Sequence, residues 1–287
     1  MKDQHNEKAD DSVTVIDEQW SEDSNGIPLH VRLYIPHSSD RRSIANGPRR
    51  AILDLHGGMW CTQDRTLDQV CNRALADAGF VVAAIDFSQG PLHQHPAASR
   101  DVVQALQWFR KHAARFNIDP DRVGLLGTSS GGHLAMYSGL TPNAVHHHRP
   151  ATEFDDLIKP PKFIMTLWPV SCPLSRYRYA KRAKITRLVE ASECFFETED
   201  RMREASIPRL VTAGEFESLP PLLVVHPGED GNVPVEITFD LMRAWQSQDG
   251  YLEYSSFPGQ PHAFGLKDSP ETLRLIALMI SFVQRFG

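Results

Sequence analysis

The chain has 287 residues, of which 41% are hydrophobic and 23% charged, with a formal net charge of −6. This length supports a sizeable core, and the acidic balance argues against broad attraction to nucleic acid. No run of about 18 apolar residues occurs, so no membrane span is expected; stretch 1–12 is polar, lacks a signal-peptide core and reads as a disordered tail on a cytoplasmic protein.

"VTVIDEQW" (Val13 to Trp20) is a weak strand candidate, whereas "LHVRLYI" (Leu29 to Ile35) alternates apolar and polar residues as a half-buried strand does. "SNGIP" between them carries turn chemistry, so the two form an antiparallel hairpin. After the polar loop 37–50, "AILDL" (Ala51 to Leu55) reads as a buried strand. Leu67, Val70, Cys71, Ala74, Leu75 and Ala78 then share one helical face, with Thr66 as the expected cap and Gly79 as the stop. "FVVAAID" (Phe80 to Asp86) is a continuous apolar strand, and a helix is expected from about Ala98 to Phe116. "RVGLLG" (Arg122 to Gly127) is the next strand, and Gly131 to Leu140 the next helix. Two more strands, "FIMTLW" (Phe163 to Trp168) and "PLLVVH" (Pro221 to His226), precede a helix over 235–248. The strand "LEYSSF" (Leu252 to Phe257) and a helix over 271–286 close the chain.

Strands apolar on both sides, alternating with helices, imply an α/β fold. The expectation is one catalytic domain over 13–287: a mainly parallel central sheet of about eight strands flanked by helices. Segment 171–219 breaks the rhythm, being charged and helix-prone, and reads as a helical lid inserted over the sheet. Cys61, Cys71, Cys172 and Cys194 form no CxxC pair, so they are expected to be reduced, mostly buried thiols rather than zinc ligands.

Open parallel sheets place ligands at the carboxyl ends of their strands. "LLGTSSGGHLA" lies at such an end, and Gly127-Thr128-Ser129-Ser130-Gly131 fits G-x-S-x-G between strand and helix. Ser129 satisfies both glycine positions; Ser130 would need glycine at Thr128 and is the weaker nucleophile. No Gly-Lys-Ser/Thr follows, so a phosphate-cradling P-loop fits poorly. A serine hydroxyl needs a base, an orienting acid and donors for the developing oxyanion. "LHGGMW" offers the amides of Gly57 and Gly58, with Ser130 as a third donor. "VVHPGEDGNVP" offers Asp230, with Glu229 as the fallback, and "FPGQPHAFG" offers His262. The order Ser129, Asp230, His262 is that of α/β-hydrolases.

On these residues the chain resembles the α/β-hydrolase fold, and in particular the hormone-sensitive-lipase-like carboxylesterases. "HGGMW" resembles that family's oxyanion motif, and "GTSSGGHLA" its nucleophile elbow. "IDFSQGPLHQHPAASRDVVQALQWFRKHA" resembles its strand, Pro-Ala-Ala segment and helix, and the similarity continues to the C-terminus. Met59 stands where the family usually has a third glycine, and His-Gly-Gly-x-Trp also occurs in kynurenine formamidase-like hydrolases.

The expected activity is hydrolysis of small to medium acyl esters through an acyl-enzyme, by a serine esterase needing neither cofactor nor metal. The alternatives are an amidase or formamidase on the same triad, and a non-catalytic ligand-binding protein. Met59, Trp60, Trp168 and Phe264 are the expected substrate-binding residues, with Phe195 and Phe196 as further candidates for an apolar pocket. The basic run "SRYRYAKRAKITR", Arg176 to Arg187 at its core, is read as a solvated helix face pairing with the acids of "ETEDRMRE". "HHH" at 146–148 is read as a surface loop. The partner is a small ester molecule, and a homodimer would form through the last strand or terminal helix.

Overall fold

The computed structural model describes residues 12–37, 47–147 and 158–287. The N-terminal tail, apart from Ser12, and most of the polar loop after β2 lie outside them. The strands are β1 (Val13–Glu22), β2 (Pro28–Pro36), β3 (Arg49–Leu55), β4 (Val81–Ile85), β5 (Ile118–Thr128), β6 (Ile164–Leu167), β7 (Leu222–Glu229) and β8 (Leu252–Pro261). They form one eight-stranded sheet in the order β1-β2-β4-β3-β5-β6-β7-β8. β1 and β2 are the antiparallel hairpin, β2 joins β4 antiparallel, and every later pairing is parallel.

The helices are α1 (Gln69–Asp77), α2 (Ala97–Lys111), α3 (Ala113–Phe116), α4 (Ser130–Leu140), α5 (Pro173–Arg182), α6 (Thr186–Phe196), α7 (Glu199–Glu204), α8 (Ile207–Thr212), α9 (Val235–Gln246) and α10 (Pro270–Phe286). Successive strand residues point to opposite faces. Leu53 and Leu55 of β3 therefore join the core under α2 and α4. Ile52, one residue before Leu53, joins the core under α1 and α10 on the opposite face. All eleven residues of α4 are buried, because it runs against the sheet beneath other helices.

Several boundaries differ from the sequence reading. α1 starts at Gln69, and Thr66 does not cap it. Asp64 Oδ1 accepts both the amide and the hydroxyl of Thr66, at 2.8 and 2.6 Å, and holds it in a separate turn. Gly79 does end α1: at φ +97° it lets its own amide bond Ala76 O and that of Phe80 bond Leu75 O. The helix expected over 98–116 breaks at His112, whose ring shares the Trp108 carbonyl with its own amide. β5 begins earlier than expected, because Ile118 pairs with Arg49 across an irregularity.

The triple histidine is not a surface loop where it is described. His147 is buried, with its ring 5.9 Å from that of Tyr137 on α4. The side chain of His146 and all of His148 lie outside the described residues.

β7 and β8 carry the largest correction. Both run on past the apolar segments, because the ladder resumes beyond a register shift and pairs Glu229 with Pro261. Gly228 permits this: a Cβ there would stand 2.8 Å from Pro258 Cα. Asp230 therefore leaves its strand at once rather than four residues later, and His262 leaves the adjacent strand directly beside it.

Candidate active site

Ser129 sits between β5 and α4 with φ +51° and ψ −113°, a conformation costly for any residue with a Cβ. Its amide donates to Leu167 O at 2.9 Å, and its carbonyl accepts from Val170 N at 3.0 Å. These bonds to the end of β6 hold the turn in place.

His262 Nε2 lies 3.0 Å from Ser129 Oγ, and its Nδ1 lies 2.7 Å from Asp230 Oδ2. Asp230 Oδ1 accepts from the amides of Asn232 and Val233, at 2.8 and 2.9 Å. An ionised carboxylate only accepts, so Nδ1 carries the proton and Nε2 is left to accept from the serine hydroxyl. Chemically, this chain can draw the proton off Ser129 and hold the resulting imidazolium. Of the two fallback residues, Glu229 is exposed and Ser130 Oγ is buried without a partner.

The loop after β3 is strained throughout: Gly58, Met59 and Trp60 have φ of +117°, +58° and +64°. Gly58 O gathers the amides of Cys61 and Thr62 and the Thr62 hydroxyl, which closes a tight turn. A Cβ on Gly58 would meet Thr62 O at 1.9 Å, and one on Gly57 would stand 3.3 Å from Ser129 Cβ. Gly58 is therefore needed to close the turn, and Gly57 lets the loop lie close against the serine. Ser130 opens α4, so its amide is among the helix's first N–H groups, which have no partner within the helix.

A cavity of about 200 Å³ opens on Ser129 and His262. Gly57, Gly58, Met59 and Trp168 line it, together with Leu188 and Val233. Trp60 and Phe264 do not. Trp60 is buried against Phe195, Phe196 and His133, and Phe264 packs between Trp168 and Phe257. Phe195 and Phe196 are likewise core rather than cavity wall. The basic run is also only partly a solvated face. Arg178 pairs with Glu199 at 2.8 Å as expected, but Arg176 and Arg187 line the cavity. A wider depression of about 650 Å³ between α8 and α9 has neither Ser129 nor His262 among its lining residues. Among the described residues, no cluster of three His, Cys, Asp or Glu side chains is placed to hold a metal ion.

Two buried acids lie beneath the nucleophile turn. Asn72 Nδ2 donates to Asp54 Oδ2 at 2.6 Å, and Thr128 Oγ1 donates to Asp68 Oδ2 at 2.9 Å. Burial pushes Asp54 up to about 7, and burial plus the charge of Asp54 pushes Asp68 well above the carboxylate range. A carboxyl raised in the folded state holds its proton there after the unfolded chain has lost it. Its contribution to stability is complete below the unfolded value near 3.8 and is lost as pH rises through about 7. Asp54→Asn should therefore gain stability relative to the parent as pH climbs from about 4 to 7. Thermal melts of both proteins across that range check this, and a pH-independent difference would contradict it.

The residues 52–266 match the model of a family described as alpha/beta hydrolase fold. Esterase LipC of Mycobacterium tuberculosis is 30% identical over 262 residues, 85% of this chain and 61% of that protein. Arylacetamide deacetylase of Oryctolagus cuniculus is 31% identical over 132 residues, 44% of this chain and 30% of that protein. The chain thus spans less than two thirds of the length of these relatives. A propionate-bound structure of the thermophilic esterase Est2 of Thermogutta terrifontis superposes with a TM-score of 0.74 at 23% identity, covering 96% of this chain and 95% of that one. The family match takes in the Gly57–Gly58 loop, the Ser129 turn, Asp230 and His262, and the chain belongs to the alpha/beta hydrolase fold family.

Proposed function

We propose that the protein hydrolyses carboxylic esters of small to medium acyl groups through an acyl-enzyme on Ser129. One observation carries this reading: the unbroken contact from the Ser129 hydroxyl through His262 to Asp230 at the mouth of a cavity. The names of its relatives, esterase and deacetylase, point the same way. His262 takes the proton as Ser129 attacks the ester carbonyl. The amides of Gly57, Gly58 and Ser130 stabilise the oxyanion, each such donor being worth about 3 kcal/mol in the barrier. His262 then protonates the leaving alcohol and later activates water, while Asp230 keeps the ring in the useful tautomer.

The cavity volume, about 200 Å³, is below that of drug-sized ligand sites and favours short acyl chains. Helices α5 to α8, within 171–219, serve as its lid. Leu188 of α6 reaches the cavity wall, and His133 Nε2 lies 2.9 Å from the carbonyl of Ala205, which ties this segment to α4. We take the protein to work in the cytoplasm, where its free cysteines remain reduced. Among the described residues no helix is long and apolar enough to cross a membrane. The formamidase alternative drew on Trp60, whose packing away from the cavity leaves it without a motive.

Mass spectrometry after treatment with a fluorophosphonate tests the reading. The label is expected on Ser129 and absent from Ser129→Ala. A folded sample labelled elsewhere, or not at all, overturns it. Short nitrophenyl esters should also be cleaved in preference to N-formylkynurenine.

A further inference from the structure

The cavity beside Ser129 has two arginines, and no Asp or Glu, among its lining residues. Arg176 on α5 is only 2% exposed. One of its Nη atoms bonds Ser192 Oγ at 3.2 Å, and the guanidinium carbon lies 5.1 Å from the centroid of the Trp60 ring. Its Nε has no partner, and it forms no ion pair among the described residues. Burial, with the nearby charge of Arg187 adding to it, pulls its pKa down to about 10, so it stays charged at neutral pH.

Arg187 stands exposed on the same cavity. It donates to Asn232 Oδ1 at 2.6 Å and lies 3.6 Å from Met59 Sδ, both neutral partners. Asp230 bonds neither arginine; its oxygens bond His262 and two backbone amides. Exposed arginines of α5 and α7 show the opposite pattern: Arg178 has Glu199, and Arg201 has Glu197.

A desolvated cation without a counter-charge is unfavourable until an anion reaches it. The planar fork of arginine matches a carboxylate, which it can hold through two hydrogen bonds. Because Arg176 and Ser129 line one cavity of about 200 Å³, a small ester bound at Ser129 can carry its own anion to Arg176.

We propose that the preferred substrate is a short ester bearing a carboxylate, which Arg176 binds inside the cavity and Arg187 attracts at its edge. This rests on the ester-hydrolase reading above.

Two matched pairs test it, followed by pH-stat: methyl hydrogen succinate against methyl pentanoate, and 3-acetoxypropanoate against butyl acetate. In at least one pair the charged ester should show a kcat/KM ten-fold or more above its neutral match. Arg176→Met should bring that ratio close to one, and Arg187→Met should reduce it about three-fold. Losing an unpaired buried charge favours folding of Arg176→Met; if it fails to fold, the parent and Arg187→Met ratios decide. Neutral esters matching or beating charged ones in both pairs would overturn the proposal, as would a preference that survives in folded Arg176→Met. Failure of the ester-hydrolase reading shows differently, as no turnover of any ester and no fluorophosphonate label on Ser129. In that event binding is read alone. Succinate should raise the melting temperature of Ser129→Ala but not of the Ser129→Ala/Arg176→Met double variant, and equal shifts would refute the arginine site.

Discussion

Ser129→Ala should lower kcat on short nitrophenyl esters by about 10⁴-fold or more, leaving only what the cavity and the oxyanion donors supply. Ser129→Gly should be equally inactive, yet the two variants should part company in stability. The serine turn sits at φ +51° and ψ −113°, where a Cβ is strained. Alanine keeps that Cβ and glycine removes it. Relief of such strain is worth about 1–3 kcal/mol. The greater chain entropy of unfolded glycine takes back roughly 0.5–1 kcal/mol. Ser129→Gly should therefore melt above Ser129→Ala, and calorimetry on the two purified proteins settles the comparison. An equal or lower melting point for the glycine variant would mean that the turn is relaxed. The strain then could not be what holds the hydroxyl up toward His262.

Much of this site is legible in the sequence, because each part is a local pattern at a strand end. Gly127 and Gly131 bracket Ser129 at a spacing that few other structures require, and Asp230 and His262 follow apolar strands in the expected order. What escapes is fixed by tertiary placement. Trp60 and Phe264 adjoin motif loops and look like cavity walls, but a strained loop turns one into the packing around Phe195 and a short 3-10 turn buries the other. Arg176 is the converse case. Its basic neighbours suggest a solvent face, while its helical phase, three after Pro173 and four before Ala180, puts it on the buried stripe of α5. That phase was the available signal, and the surrounding charge masked it. The lengths of β7 and β8 were hidden for another reason. Apolar alternation stops at their exposed ends, whereas backbone pairing does not, and it is this pairing that sets Asp230 beside His262.

Gly131→Ala tests the closest backbone approach of α4 to the sheet. A Cβ at Gly131 would stand 1.9 Å from Leu55 O and 2.5 Å from His56 O, main-chain atoms at the end of β3 that no rotamer change can move. Gly127 makes the reciprocal approach, since its Cβ would meet Gly131 O at 2.3 Å. The start of α4 is thus pressed against both the strand before the Gly57–Gly58 loop and the strand before Ser129. Alanine must push the helix start away from β3, which separates the Ser130 amide from those of Gly57 and Gly58. A displacement of about 1 Å at such a site costs on the order of 10²-fold in rate, and overpacking against main chain should cost about 3 kcal/mol of stability. Gly47→Ala is the control, because none of the described residues lies within 4 Å of its Cβ and it should stay within about 0.5 kcal/mol of the parent. Urea unfolding and ester turnover on the same preparations separate the two effects. If Gly131→Ala behaves like the control, the helix start has room to spare, and the oxyanion donors are not set by the contact between α4 and β3.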